Sequence, residues 1–562
     1  MLNKNTIAVI AISNTLLLGA CGQGADTSNS AVGAPAAASY VQPSSPLTVR
    51  LTDDAFNALD EVEQYRVANK LYSTVYKGIS VPEFFNLDVG LTAPETINSG
   101  RFITSAMNRL QTDLTLEEQQ RLDLAILGSD EVDIESTYSI EGQYSFSRDK
   151  ARELPLARIH TYPMSRQVYV QWMAWHLANS ILFSPAAELD SADMTDVQNI
   201  FRRLYNSIDA GMPIRTIVEE HMRSEENWRR FRSPEDNTRE MIEVFLGLED
   251  MDADVPAASK ACKDWYLTGE NQGYKLSFTD FPNTEPQQVL GASIVSCDDF
   301  YTLVANHPNL LPTVAAVLVR YFYAEKDFEF QQRMVAALVA DNPESFEALF
   351  SLIIFSGEYL FNNERLRSYE ESFLATAERM RWDTRSETFR SMASGSGGLY
   401  RSDMAEMGWP AMSAKLGRIG GVATDSLSFA NFHKGFREEL LLDKNRWSRR
   451  MGLSEQVPLD ETDEQMSVAE YERRVALNKQ LKILSIEDLV DYLFITIATR
   501  RATEFERDEL IRLYDENDFL RHEEERSYVR SGRMASLASL TFDFLSRLSE
   551  VYYYKTTIGG AQ

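Results

Sequence analysis

Hydrophobic residues recur at every third or fourth position through the centre of the chain, with polar residues between them. This spacing places the hydrophobic side chains on one face of an α-helix. The clearest stripe predicts a helix over residues 194–208 and consists of Met194, Val197, Ile200, Phe201, Leu204, Tyr205 and Ile208. Similar stripes lie within residues 214–222, 241–246, 314–322, 334–338 and 346–361.

Residues that favour helix N-termini mark further helices outside this central region. Thr115 and Glu118 form a capping-box pattern, as do Thr503 and Glu506. A long final helix is predicted from about Ser527 to Tyr554. Only residues 134–146 alternate in a way that favours strands. The chain is therefore predicted to be mostly α, a multi-helix globular body with at most a small β-hairpin near residues 134–146.

The same pattern, together with shifts in composition, divides the chain into segments. The predicted segments are 1–20, a lipoprotein signal peptide; 21–46, a lipidated cysteine and a flexible tether rich in Ala, Ser, Gly and Pro; 47–163, an N-terminal helical region; 164–445, a central helical domain; 446–482, an acidic linker; and 483–562, a C-terminal helical region.

The first residues have the order of features that is typical of an export signal. Lys4 precedes an uncharged stretch that is too polar, at Ser13 to Thr15, to favour a membrane-spanning helix of about 20 apolar residues. Leu18 to Cys21 resembles the lipobox of bacterial lipoproteins, which implies that Cys21 becomes the lipidated N-terminus. The alternative is a plain secretory signal with a chance cysteine. Gly22 is not the Asp that retains such proteins in the inner membrane, so the resemblance favours the outer membrane.

Composition bears on the partners that the protein can have. The chain has 562 residues and a formal net charge of −28 at pH 7. Binding to nucleic acid needs surfaces rich in Lys and Arg, so no nucleic-acid partner is expected. An acidic surface also repels anionic lipid headgroups. Attachment to a membrane is therefore expected to come from the lipid anchor.

Two cysteines remain once Cys21 is assigned to lipid. Cys262 and Cys297 can form a disulfide in an oxidising periplasm, and two buried free thiols are the alternative. The sequence contains no Cys-x-x-Cys or Cys-x-x-Cys-His pattern, which excludes a covalent c-type haem and the sites that use such a pair. No cofactor and no metal site are predicted.

The order of motifs from about Val168 to Lys434 resembles an exported bacterial family catalogued as domain of unknown function 1800. The resemblance covers roughly half the chain and rests on these motifs: Trp172–His176, Pro234–Phe245, Trp265, His307–Pro308, Arg320–Phe322, Met407–Pro410 and Phe429–Phe432. The family's second His in the Trp-His-x-His segment is absent here, because Asn179 and Ser180 follow Ala178. The resemblance implies an exported protein partner, with a sulfatase-like neighbour as one candidate.

Three central residues are candidates for catalysis. His176 lies beside Trp172 on an apolar helix, where a histidine is more often a core residue than a base or ligand. Arg239 and Glu240 share a helix, and a buried network of Arg and carboxylates that orients neighbouring helices is the favoured interpretation of this pair. The expected function is an envelope lipoprotein, at the periplasmic or cell-surface face of the outer membrane, that acts as a binding or assembly component for other exported proteins.

Two alternatives to this binding role stay open. An exported hydrolase or lyase that acts on envelope polymers or polysaccharide would carry its groups near His176 and Glu240. An accessory to an electron-transfer chain is the other, limited to partner binding by the lack of haem motifs. An enzyme is the less favoured interpretation.

Overall fold

The computed structural model describes residues 41–81, 100–127, 156, 158–178, 180–183, 194–249, 253–269, 274–379, 486–516, 537, 540–545, 547–551 and 553–554. Cys21, the predicted hairpin near residues 134–146, the motif segments 407–410 and 429–432, and the acidic linker lie outside these ranges. Within them the protein is mostly α-helical, with small two-stranded antiparallel sheets, which confirms the predicted fold class.

Four helices come from the N-terminal segment, and two more lie at the start of the central segment. They are α1 (Asp53–Asn57), α2 (Glu61–Thr74), α3 (Phe102–Leu110), α4 (Leu116–Leu127), α5 (Arg166–Ala178) and α6 (Met194–Asp209). The stripe at residues 194–208 thus forms the predicted helix. The capping box before α4 is also present, since Glu118 accepts from the Thr115 backbone N–H at 2.9 Å and Thr115 accepts from the Glu118 N–H at 3.2 Å.

The central helices and strands follow in this order: α7 (Ile214–Met222), α8 (Glu225–Arg230), α9 (Pro234–Leu246), α10 (Asp254–Ala261), β1 (Trp265–Thr268), β2 (Lys275–Phe278), β3 (Gln287–Val289), β4 (Ala292–Ile294), α11 (Cys297–Ala305), α12 (Leu310–Phe322), α13 (Phe328–Asp341), α14 (Phe346–Ile354) and α15 (Gly357–Asn362). The stripe at residues 346–361 is interrupted because Ser356 caps a new helix, accepting from the Tyr359 N–H at 3.0 Å.

The last described elements are β5 (Arg365–Leu366), α16 (Tyr369–Arg379), α17 (Ile486–Ala498), α18 (Glu504–Glu516), a short 3₁₀ helix (Ser549–Val551) and β6 (Tyr553–Tyr554). The prediction of a final helix that runs to Tyr554 was wrong at its end. Tyr554 and Tyr553 pair with Arg365 and Leu366 as antiparallel strands. Pairing with a distant segment gives these backbone groups partners that a helix end would leave to solvent.

One connected cluster of buried apolar side chains forms the core and runs from Leu51 to Val551. Segments 47–163, 164–445 and 483–562 all contribute to it. Trp172 and Trp228 are among its largest members and are almost fully buried. Burial of aromatic surface of this size is a main source of stability.

The chain enters the body along a short segment that turns at residues 46–48 and then contacts the α14–α15 corner. The Gly357 N–H donates to the carbonyl of Val49 at 2.9 Å, and the Leu51 N–H donates to that of Phe355 at 2.8 Å. Ser44 adds a hydroxyl bond to the Asp341 carboxylate at 2.5 Å. This segment, residues 44–51, is therefore fixed to the core by backbone hydrogen bonds.

Among the described helices, none is by itself long and apolar enough for a membrane span. The pair α11 and α12, which bends by 62° between its two helices, meets the length and composition test only when both are taken together.

Candidate functional site

The sequence candidate His176 lies in the aromatic core. Its ring stacks on Phe322 at 5.3 Å between centroids and meets Tyr321 and Phe350 edge-on at 4.5 and 5.4 Å. Neither ring nitrogen has a hydrogen-bond partner within the described residues. Burial, and then the nearby Arg365 charge, lower the pKa of His176 to about 3. The imidazole is thus neutral and enclosed.

The other two catalytic candidates lie on α9 and are half-buried. Arg239 forms an ion pair with Glu235, one turn earlier, at 3.7 Å, and its side chain is 39% exposed. The predicted buried network through Arg239 is therefore wrong, because the guanidinium reaches along its own helix toward solvent. His176 makes no hydrogen bond to Arg239 or Glu240, so the three candidates do not form one constellation.

Basic side chains that ordinarily face solvent are buried together where α2, α16 and the β5–β6 pair meet. None of them exposes more than 4% of its surface. We call this set the cationic cluster: Lys70, Arg365, Arg367 and Arg379, with the carboxylate Glu371.

Arg365 is the paired member of the cationic cluster. Its Nη1 and Nη2 donate to the two carboxylate oxygens of Glu371 at 2.9 and 2.5 Å. The face of the guanidinium lies 4.9 Å from the ring centroids of Tyr321 and Tyr554. Bidentate pairing and cation–π contact together compensate this charge.

Lys70 reaches the cluster from α2. Its Nζ donates to the backbone carbonyls of Tyr359 and Asn363, both at 2.5 Å. The ammonium thus binds the carbonyls at the end of α15, where a helix dipole favours a cation. Burial, and then the Arg365 charge, hold the pKa of Lys70 well below its usual range.

Arg367 and Arg379 have no such compensation. The Arg367 guanidinium lies 4.5 Å over the Tyr554 ring, yet its Nε and Nη1 have no acceptor. Arg379 donates from Nη2 to the Thr376 hydroxyl at 2.7 Å, whereas its Nε and Nη1 have no acceptor. Throughout the described ranges neither guanidinium has a carboxylate partner.

These two guanidinium groups stay charged at neutral pH. Burial lowers the pKa of Arg367, and burial followed by the Arg367 charge lowers that of Arg379 to about 10. Two other buried arginines have carboxylate partners: Arg158 pairs with Asp123 and Arg229 with Asp196, each at 2.5 Å. An uncompensated buried charge costs several kcal/mol even after the protein relaxes. Among the residues that the structure describes, the cationic cluster therefore holds more positive than negative charge.

A glycine brings the loop after α2 against α16, next to Arg379. A Cβ on Gly78 would lie 2.3 Å from the backbone oxygen of Ala375 and 2.7 Å from the backbone nitrogen of Arg379. Both distances are far shorter than a van der Waals contact. The Gly78 N–H donates to the Glu378 carboxylate at 2.7 Å, and Lys77 pairs with the same carboxylate at 2.7 Å. The Glu378 carboxylate is therefore already bound by Lys77 and Gly78 of this loop.

His176 borders the cationic cluster through one ring. Tyr321 meets the imidazole edge-on at 4.5 Å and lies under the Arg365 guanidinium at 4.9 Å. His176, a candidate predicted from the sequence, thus lies beside the cationic cluster, whereas the cluster itself was not predicted.

A second unusual region lies between the two predicted disulfide cysteines. Cys262 and Cys297 form a disulfide, with their Cα atoms 4.3 Å apart. Residues 262–297, which we call the β module, include both small hairpins β1–β2 and β3–β4. The bond joins the two ends of the module inside the apolar core, where both cysteines are fully buried.

Large aromatic side chains project from the β module. Phe281 is 80% exposed, Phe278 58% and Tyr266 39%. Beneath them Trp265 is buried against Trp228, with centroids 5.6 Å apart, while the Phe278 ring meets Trp265 edge-on at 4.9 Å. The module therefore holds exposed apolar groups on a firmly packed base.

The part of the chain that the structure describes contains no group of three or more His, Cys, Asp or Glu side chains that could hold a metal ion. Comparison with known proteins gave no match to a family model, to a curated protein or to a solved structure.

Proposed function

We propose that this protein is an envelope lipoprotein, anchored to the outer membrane through lipid on Cys21, whose helical body binds and helps to assemble other exported proteins. The observation that carries the binding role is the exposed aromatic surface of the β module. The anchor rests on the lipobox resemblance at Leu18 to Cys21.

Exposed aromatic residues on one small module are typical of a protein interface. Aromatic side chains are enriched at the centres of interfaces, and neighbouring exposed apolar groups mark interaction sites, whereas single exposed apolar side chains are common. Phe278 and Phe281 lie three residues apart and are both more than half exposed. They supply the anchor groups of the proposed interface.

The base of the β module supports this role because it fixes the aromatic groups before a partner arrives. The disulfide closes the module, and Trp265 packs on Trp228 and on Tyr301, each at 5.6 Å. A surface that is already ordered loses less conformational entropy on binding.

The partner that fits is an exported protein with an apolar recess surrounded by basic residues. The recess would receive the two phenylalanines, and the basic rim would be attracted to a chain of net charge −28. Charge complementarity of this kind raises the rate of encounter and the specificity. A sulfatase-like exported protein, which the family resemblance implies, is one candidate.

The placement of His176 favours this role over the hydrolase or lyase. A general base has to come within hydrogen-bond reach of its substrate. The His176 imidazole is enclosed by three aromatic rings and is 1% exposed, and Arg239 is engaged with Glu235.

The binding role is tested by affinity purification from a mild detergent extract. The double variant Phe278→Ser, Phe281→Ser should lose a partner that the wild-type protein retains at constant stoichiometry. The matched control Phe328→Ser, Phe505→Ser removes two rings that are 71% and 75% exposed elsewhere, and it should retain the partner. Equal retention by both variants, or equal loss, would overturn the proposed surface.

The anchor is tested separately with Cys21→Ser. We expect this variant to be released from the membrane fraction or to keep its signal peptide uncleaved. A processed variant that stays in the membrane fraction would contradict the lipid anchor and leave the binding surface as a separate question.

A further inference from the structure

We propose that the cationic cluster is a binding site for a doubly charged oxyanion of the phosphate class, held by Arg367 and Arg379. This inference does not depend on the proposed function. It starts from four buried guanidinium nitrogen atoms that have no acceptor among the described residues, and from the positive charge that accompanies them.

The orphan donors are the first observation. Nε and Nη1 of Arg367 and of Arg379 are buried, and each lacks an acceptor within the described part of the chain. Buried donors are nearly always paired in folded proteins. Ordered water could accept these bonds, so the donors alone indicate a polar occupant without fixing its charge.

The charge balance indicates that the occupant is an anion. Glu371 is fully engaged by Arg365 and by the Ser368 N–H at 2.6 Å, and Glu378 is engaged by Lys77 and by the Gly78 N–H. Two guanidinium charges are left, and water does not neutralise them. Guanidinium donors match the oxygens of phosphate and carboxylate in geometry.

A dianion fits better than a monoanion. The two unpaired members carry two positive charges, and the Arg367 charge lowers the pKa of Arg379, as expected for two cations near each other. The Tyr554 ring occupies the face of Arg367, with the guanidinium carbon 4.5 Å from the centroid. The in-plane N–H groups are thereby left for the ligand.

Enclosure indicates a small ligand. Arg367 is 3% exposed and Arg379 is fully buried, so the bound group is inorganic phosphate or the terminal phosphoryl group of a phosphate monoester. Both present the same doubly charged oxygen set to the two arginines.

The first experiment uses the wild-type full-length protein after exhaustive dialysis against a buffer free of phosphate. Inorganic phosphate and glycerol phosphate are added at matched ionic strength, with acetate and chloride as monovalent comparators. We expect a saturable rise in unfolding temperature with phosphate, of roughly 2 to 4 °C at a large excess over Kd.

The two phosphate compounds distinguish the source of the ligand. A response to phosphate alone supports the free ion, and a response to glycerol phosphate as well supports a phosphoryl group. A shift that is linear and unsaturable, as kosmotropic salts give to any protein, or one equal for acetate, would overturn the proposal.

The second experiment uses variants. Arg367→Met and Arg379→Met each remove one uncompensated charge but keep the apolar stem. Because replacing a buried charge with an apolar group is often neutral or stabilising, each variant should unfold at the same or a higher temperature than wild type without phosphate, and should lose the saturable response. The matched control Arg333→Met removes an exposed arginine from α13, whose side chain is 59% exposed, and should keep the response.

Equilibrium dialysis of labelled phosphate against the wild-type protein keeps the test decisive if either variant fails to fold. We expect saturable binding that approaches one phosphate per chain. Absence of saturable binding after dialysis, together with a phosphate-free protein at the start, would overturn the site.

Discussion

The β module and the cationic cluster depart from the usual distribution of side chains in opposite directions. The module places Phe278 and Phe281 in water, whereas the cluster places Arg367 and Arg379 in the protein interior. Water disfavours the first arrangement and a low dielectric disfavours the second. A folded chain tolerates either when something else covers the apolar group or neutralises the charge. If both proposals hold, each region is completed by something outside the chain, a partner surface for the β module and an anion for the cationic cluster.

The largest expected effect comes from removing the one carboxylate that the cluster contains. Glu371→Gln keeps the shape of the side chain but leaves Arg365 without a negative partner. Breaking a buried pair in this way costs about 3 to 5 kcal/mol of unfolding free energy. Chemical denaturation should show this loss, while Glu329→Gln, which breaks the exposed pair with Arg333, should cost less than about 0.5 kcal/mol. Similar losses in the two variants would mean that burial of the cluster does not decide its energetics.

The next largest effect concerns the base of the β module. Replacing Cys262 and Cys297 with Ala opens a loop with a sequence separation of 35 residues. In the chain-entropy model this lowers the unfolding free energy by about 3 to 4 kcal/mol. Urea denaturation of wild type with reductant should converge on that of the double variant. If the reductant leaves the wild-type midpoint unchanged while the variant is destabilised, the loss comes from packing of the sulfur atoms.

A smaller effect depends on pH and on the aromatic core beside the cluster. The folded pKa of His176 is about 3, whereas the unfolded value is about 6.5. As the pH falls from about 6.5 toward 3, the unfolded chain binds a proton that the folded chain does not, so stability decreases. Between pH 7 and pH 5 wild type should lose about 2 kcal/mol more than His176→Phe.

Urea denaturation at the two pH values measures this difference. His307→Gln is the control, because His307 is half-buried and burial lowers its pKa less severely. Wild type and His176→Phe would show the same pH dependence if the imidazole were hydrated or protonated in the folded protein.

The smallest effect on stability is expected at the tip of the β module. Phe281→Ser should change the unfolding free energy by less than about 0.5 kcal/mol, because the ring is 80% exposed. Phe278→Ser should cost more, since its ring packs on Trp265 at 4.9 Å. A large loss from Phe281→Ser would show that the ring is a structural contact and would weaken the interface assigned to it.

Periodicity predicted the helices because a helix in a globular protein is itself determined by a local, repeating contact with the core. The stripe from Met194 to Ile208 and the capping boxes at Thr115 and Thr503 needed no distant information, and the structure contains both boxes. The cysteine count allowed the pair Cys262 and Cys297, and the structure contains that disulfide.

The hairpins of the β module were missed because their strands are three or four residues long and carry no clear alternation. In Trp265 to Thr268, the face that packs on the body carries Trp265 and Leu267, and the exposed face carries Tyr266 and Thr268. The cationic cluster was missed for a different reason. Charged residues are read as surface residues, and Lys70 and Arg365, which are 295 positions apart in the numbering, meet only through tertiary contacts. Similarly, the end of the chain was predicted to be a helix because its pairing with Arg365 and Leu366 is not local.

The fixed entry segment, residues 44–51, has a mechanical consequence. If the chain is pulled from its N-terminal side, the load reaches the hydrogen bonds from Gly357 to Val49 and from Leu51 to Phe355 before it reaches α1. These bonds lie where α14 ends, and every residue of α14 is buried, so the load is applied next to a core helix before it reaches the first helix. In an anchored and partner-bound protein of the kind proposed above, tension between the anchor and the partner would act on these bonds before it acts on α1.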